Sequence, residues 1–399
     1  MDAIFNTDPQ LGFGTDPLYP YSLRPIDVIG GKCKRQLRDQ LTQSCPRVPG
    51  VYGMLNPKGE LIYVGKSKSL RSRLLSYFAD SNAREKGGRI IEGTRAIQWE
   101  TQPSEFASLV REQQLIRRFS PRWNVKEVPK RQRAVYLCLG RSPATFFISA
   151  VPPQDCQAIE GPFFGANRMN AAVDALNKVF KLRDCGQKQV FQFSEQMQLF
   201  DLELRPGCLR LEVGTCLGPC AAACSQDEYA MATSAAESFL DGFNHEPLVK
   251  LRRQFDSAMQ NRQYELAQRH HAAIKSLEYV DRKLAMLNRA RRRYTFVYNV
   301  AGYDGCGIWY LIHSGEIAEA VAAPRNAPER RALMPTLKRW QKTTADHLHR
   351  GHGTYPYTLS LVASWFRKNR EELAESTFVP GDVVKSRPNG AKATSGITA

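Results

Sequence analysis

Apolar and polar positions change rhythm several times along the chain, and each rhythm predicts an element. Val51-Tyr52-Gly53-Met54-Leu55 reads as a strand, Asn56-Pro57-Lys58-Gly59 as a turn and Leu61-Ile62-Tyr63-Val64-Gly65 as a second strand, which makes a hairpin. Leu70, Leu74 and Tyr77-Phe78 recur at helical spacing and predict a helix over 69–78. A third strand follows at 97–101. Next comes a helix capped by Ser104 that carries Phe106, Leu109, Leu115 and Ile116 and stops before Pro121. The order ββαβα describes a small α+β unit over 41–128.

Outside that unit the rhythm is broken more often. Residues 1–40 mix Pro, Gly, Asp and basic residues without sustained periodicity and are expected to form a mobile extension. Residues 129–184 are a connector, with a hairpin over 134–150 and a helix over 168–182, and 185–240 is a cysteine-rich segment. In 245–287, Leu248, Leu251, Phe255 and Met259 make one apolar stripe and Ala267, Ile274, Leu277 and Leu284 another. Asn261-Arg262-Gln263 supplies the turn between them, which predicts a helical hairpin. Residues 290–380 form a mixed region, β-rich over 294–322 and helical after Pro335, and the polar tail 381–399 is expected to be disordered.

Charge narrows the partners. Lys and Arg number 56 against 39 Asp and Glu, a formal net charge of +17. Such an excess favours a polyanion, because each phosphate contact releases counterions. No apolar run is long enough for a membrane span and no secretory leader is legible, so the chain is expected to be cytoplasmic and to avoid membranes. In that reducing compartment its ten cysteines are not a disulfide framework. Cys33, Cys45, Cys138, Cys156 and Cys306 are scattered, whereas Cys208, Cys216, Cys220 and Cys224 are crowded together.

Several motifs share one resemblance. Pro49-Gly50-Val51-Tyr52, Ile62-Tyr63-Val64-Gly65-Lys66-Ser67-Lys68, Arg73-Leu74, Tyr77-Phe78 and Pro121-Arg122-Trp123-Asn124-Val125 follow in the order of the GIY-YIG nuclease domain of the UvrC family. Trp123 stands where that family has Tyr. The resemblance implies an endonuclease site made of Tyr52, Tyr63, Lys66, Arg73 and Glu112, with Asn124 in support. Glu112 would be the ligand of Mg²⁺ or Mn²⁺, and Lys68, Arg71 and Arg122 would contact double-stranded DNA. The residue types suit phosphodiester hydrolysis. A carboxylate can hold the metal, Arg73 can offset phosphate charge, and a tyrosine can accept a proton if a cation such as Lys66 lowers its pKa. Which tyrosine does so stays open.

The resemblance extends to about residue 285. Cys185, Cys208, Cys216 and Cys220 resemble the family's cysteine-rich segment, which implies a [4Fe–4S] cluster, with zinc as the alternative metal and Cys224 as an alternative ligand. Gly207 is an insertion there. The helical hairpin resembles the UVR motif, which implies a UvrB-like partner with Phe255 and Tyr264 as aromatic anchors. His270-His271 departs from that motif. The family's RNase H-like and helix-hairpin-helix domains are not expected in this chain. His347, His349 and His352 read as a solvated loop. The function implied is excision-repair incision on the 3′ side of a lesion. A catalytically weak DNA- and UvrB-binding regulator and a structure-specific GIY-YIG nuclease are the alternatives.

Overall fold

The computed structural model describes residues 13–21, 26–79, 86–125, 134–150, 156–186, 190–196, 207–346 and 358–379. The three histidines at 347, 349 and 352 and the tail 381–399 lie outside them. The chain divides into two compact units, one of residues 1–126 with 290–399 and the other of residues 127–289.

The first unit begins with β1 (Asp27–Gly30), α1 (Lys34–Ser44), β2 (Gly50–Leu55), β3 (Leu61–Ser67), α2 (Leu70–Ser76), α3 (Lys86–Glu92), β4 (Ala96–Thr101), α4 (Glu105–Phe119) and α5 (Arg122–Val125). The β2–β3 hairpin forms as its alternation predicts. The Asn56 side chain accepts the backbone N–H groups of Lys58 and Glu60, which closes the turn. Sheet order is β1-β4-β2-β3, all antiparallel, so β4 pairs with β2 and leaves β3 at the edge. Ser104 caps α4 by accepting the Ala107 N–H at 3.1 Å, and Ser120 ends the helix in a left-handed conformation just before Pro121.

The expectation of a mobile 1–40 is corrected for its described part. Phe13 and Leu18 are buried. The Arg111 guanidinium, buried against Glu100, also donates to the carbonyls of Gly14 and Thr15 at 2.7 and 3.0 Å. β1 covers the free edge of β4, and α1 buries Leu37 and Leu41. A four-residue strand with one buried apolar side chain, and a helix with two, are too short to show as periodicity. Their order comes from a strand edge that needs hydrogen-bond partners and a buried cation that needs acceptors.

The second unit contains β5 (Ala134–Gly140), β6 (Thr145–Ser149), β7 (Ala158–Phe164), α6 (Ala166–Val179), α7 (Leu209–Glu212), α8 (Gln226–Leu240), α9 (Glu246–Gln260) and α10 (Tyr264–Arg293), the last helix ending in the first unit's sequence. The expected hairpin at 134–150 is β5–β6, and β7 joins it on the far side of β5. A capping box of Ser225 and Glu228 starts α8. Helices α9 and α10 are the predicted hairpin, turning at Asn261–Gln263. Its apolar stripe is buried except at the tip, where Met259 is exposed. Leu248, Leu251, Ile274, Leu277 and Leu284 are buried with Leu137, Phe146, Phe163 and Phe239 in the unit's own core.

Returning to the first unit, β8 (Phe296–Val300), β9 (Ile308–His313), β10 (Glu316–Ala322), α11 (Ala327–Asp346), α12 (Thr358–Lys368), α13 (Arg370–Glu375) and β11 (Thr377–Phe378) build a sheet ordered β10-β9-β8-β11. Helix α11 starts at Ala327, well before the expected Pro335, which it accommodates internally. It packs Leu337 and Trp340 with Val297, Trp309 and Leu311. A separate cluster joins Val362 and Phe366 of α12 to Phe106 and Val110 of α4. The Phe106 ring sits 5.0 Å from Tyr298, 5.0 Å from Tyr310 and 5.3 Å from Trp365, edge to face with each. Among the described residues no helix is long and apolar enough to cross a membrane.

Candidate active site

Strand alternation places Tyr52 on the sheet face that α2 covers, and α2 returns Tyr77 beside it. The two hydroxyls lie 2.8 Å apart. Tyr63 completes a triangle of rings, 6.2 Å from Tyr52 and 6.3 Å from Tyr77. Arg73, exposed on α2, donates from Nε to the Tyr52 hydroxyl at 3.3 Å and from a terminal nitrogen to Tyr77 at 3.5 Å. Gly65 is required by this packing, because a Cβ there would strike the Tyr52 phenol.

Burial raises the pKa of all three phenols. A neighbouring phenol's charge adds to the effect at each, and Glu112 adds to it at Tyr63. Hydrogen bonds from Tyr77 to Tyr52 and from Tyr63 to Tyr77 oppose it, and so does Arg73 at all three. The cation beside the tyrosines is therefore Arg73. Lys66 does not fill the role expected of it. Its ammonium donates to Glu105 at 2.9 Å, and Lys68 holds the other oxygen of the same carboxylate at 2.8 Å. Burial pushes the Glu105 carboxyl up, but the Lys68 and Lys66 hydrogen bonds outweigh it and hold the group below the usual range.

Glu112 faces the same cluster from α4. Its carboxylate accepts the backbone N–H of Lys66 at 3.1 Å. Burial pushes it up to about 7, against the opposing influence of the Lys66 charge, the Lys66 N–H and Arg73. Asn124 supports the site through the backbone. Its amide accepts the Val64 N–H at 2.8 Å and donates to the Val64 carbonyl at 2.9 Å, so it stands in for the missing neighbour of edge strand β3 beside Tyr63.

Among the expected DNA contacts, Lys68 is exposed but paired with Glu105, Arg71 donates to the Cys45 carbonyl, and Arg122 is exposed over the Trp123 ring at 5.8 Å. Sequence reasoning missed Tyr77 and Glu105 as site residues. Tyr77 was visible only as part of a motif. Glu105 was visible as an acid in the first turn of a capped helix.

The cysteines form a second cluster. Cys185, Cys208, Cys216 and Cys220 line one cavity of about 200 Å³ with Arg183, Phe191 and Pro219. Cys224 is not in that lining and is buried in the hydrophobic core of its unit. The Cys216 sulfur accepts the Gly218 N–H at 3.3 Å, and burial pushes the Cys216 thiol up to about 11. Among the described residues no three His, Cys, Asp or Glu side chains are placed to hold a single metal ion.

At the hairpin tip Tyr264 is 64% exposed, with Met259 and Leu266 also exposed. Phe255 does not match the expectation of an exposed anchor. It packs against the core, with its ring 5.8 Å from His271.

Residues 48–125 match the family described as the UvrC-like GIY-YIG domain, and residues 134–239 match the UvrC/Cho excinuclease middle domain. UvrABC system protein C of Desulfatibacillum aliphaticivorans is 32% identical over 223 residues, 55% of this chain and 35% of that protein. The protein of the same name from Carboxydothermus hydrogenoformans is 28% identical over 278 residues, 69% and 44% of the two chains. The chain thus spans less than half the length of these relatives. The crystal structure of the GIY-YIG N-terminal endonuclease domain of UvrC from Thermotoga maritima, bound to magnesium, is 34% identical. It is covered entirely by 23% of this chain, with a TM-score of 0.21.

Proposed function

We propose, for a chain that belongs to the UvrC family, that it is a metal-dependent endonuclease cutting DNA at the Tyr52–Tyr63–Tyr77–Arg73–Glu112 cluster. The observation that carries this reading is Glu112, a partly buried carboxylate beside three phenols and an exposed arginine, raised to about 7 by lost hydration. Hard oxygen donors with incomplete charge compensation fit Mg²⁺ or Mn²⁺, and Glu112 is the residue that would hold the ion. When bound, such a cation polarises the phosphate and stabilises the departing oxygen.

The chain's own residues do the rest. Arg73 reaches solvent and can bind a non-bridging phosphate oxygen while it orients Tyr52 and Tyr77. A buried phenol gives up its proton only where positive charge offsets burial, and Arg73 supplies such charge. Tyr63, the phenol on which the Glu112 carboxylate acts, is the one we assign to the attacking water; that negative charge raises its pKa, so Arg73 is the group that opposes it. Asn124 keeps Tyr63 in place by holding the strand beside it.

The same reading assigns excision repair, with one incision on the 3′ side of a lesion, and recruitment by a UvrB-like partner at the hairpin tip through Tyr264. The cavity of Cys185, Cys208, Cys216 and Cys220 would hold a [4Fe–4S] cluster. Four thiols lining one space are the ligand set such a cluster needs.

The test is incision of a lesion-bearing duplex by the full chain, with Mg²⁺ or EDTA and with or without a UvrB-like protein. We expect metal-dependent cutting that the partner directs to the lesion and that Tyr264→Ala disperses. Binding without cutting under every condition would instead identify a regulator.

A further inference from the structure

Lys86, at the start of α3, holds its ammonium 5.8 Å from the centre of the Tyr63 ring. One turn later on α3, Arg89 stacks on Trp123 at 5.6 Å, and Arg122 lies over that same indole at 5.8 Å. Trp123 adjoins Asn124, whose amide pins Val64 next to Tyr63. Two aromatic rings beside the candidate site thus carry three cations.

Among the described residues Lys86 has no carboxylate partner. Burial lowers its pKa. An ammonium losing water over an aromatic face is partly compensated by the ring's negative face. An anion at the same place would complete the compensation.

We infer that Lys86 binds a phosphate of the DNA strand held at Tyr63, and that Arg89 extends this grip along the backbone from its place on Trp123. The inference rests on the nuclease reading and adds a phosphate-binding wall to it. The recognised chemistry is the phosphodiester backbone, so the contact is independent of base sequence. Trp123 also acquires a purpose, since its indole carries both Arg89 and Arg122.

The experiment measures binding of a fluorescein-labelled duplex to the full chain across a salt series. It uses a Glu112→Gln background, so that no cutting intervenes. Each lost phosphate contact should reduce the slope of log affinity against log salt by about 0.9. Lys86→Gln is expected to reduce the slope by about one such step and to weaken binding equally on unrelated sequences, whereas Lys86→Arg retains the slope. Arg89→Gln should remove a second step. With Glu112 intact, Lys86→Gln should also slow single-turnover cutting, with rescue by Lys86→Arg.

An unchanged salt slope in folded Lys86→Gln would overturn the assignment of Lys86, and the same result for Arg89→Gln would overturn the extension. If the parent chain binds duplex but never cuts, the nuclease reading fails while the slope still decides the phosphate contact.

Discussion

Glu112 accepts the backbone N–H of Lys66 at 3.1 Å, while the ammonium of that lysine is engaged 2.9 Å away by Glu105. Lys66 therefore serves the site twice, as a peptide donor to one carboxylate and as a counter-ion to another. The division leaves the Glu112 carboxylate without a direct cationic hydrogen-bond partner among the described residues, consistent with its elevated pKa.

Metal binding should follow that titration. A cation needs the ionised carboxylate, so affinity for Mg²⁺ should rise with pH through about 7 and level off above it. Stability runs the other way. Between the ordinary 4.5 and the folded value near 7 the folded metal-free chain holds the extra proton, so its stability falls as pH rises through this window. Glu112→Gln should remove both dependences and abolish cutting. Calorimetry and denaturation at several pH values check this, and an unaltered pH profile in the variant would exclude Glu112 as the titrating group.

Asn124 should matter more to stability near β3 than its surface position implies. Asn124→Ala leaves the outward N–H and carbonyl of Val64 without their partner, a loss of about 1–3 kcal/mol. Asn124→Asp keeps the acceptor and loses the donor, so it should fall between. Urea denaturation gives the ranking, and faster hydrogen exchange at the Val64 amide would localise it.

Phe106 joins α4 to the sheet of β8 and β9. It is fully enclosed by Tyr298, Tyr310 and Trp365, so Phe106→Ala should cost about 3–5 kcal/mol. Because α4 also carries Glu105 and Glu112, cutting should fall together with stability. A variant as stable as the parent would show that the sheet does not brace this helix.

The cysteine cavity separates two candidate ligands. Protein purified without oxygen should be brown, with absorption near roughly 400 nm. Cys185→Ala should lose the colour, since Cys185 lines the cavity, and Cys224→Ala should keep it. Colour that survives loss of Cys185 and disappears with Cys224 would reverse the assignment.

The elements legible in the sequence are those governed by neighbours along the chain. The β2–β3 turn follows from Asn56 and Gly59, the start of α4 from Ser104, and the α9–α10 turn from Asn261–Gln263, because capping and turn chemistry act over three or four residues. The motif glycine at 65 was legible too, but its reason, the Tyr52 phenol lying against it, was not. Tertiary structure alone decided what each apolar face and charged head would meet. It joined β1 to β4, set Tyr77 against Tyr52 and turned Lys66 toward Glu105. It placed Cys185 rather than Cys224 in the cavity and buried the stripe of the helical hairpin within its own unit. Periodicity states which side of an element avoids water. Its partner is set by contacts between residues far apart in the chain, whose pairing depends on the packing of the whole unit.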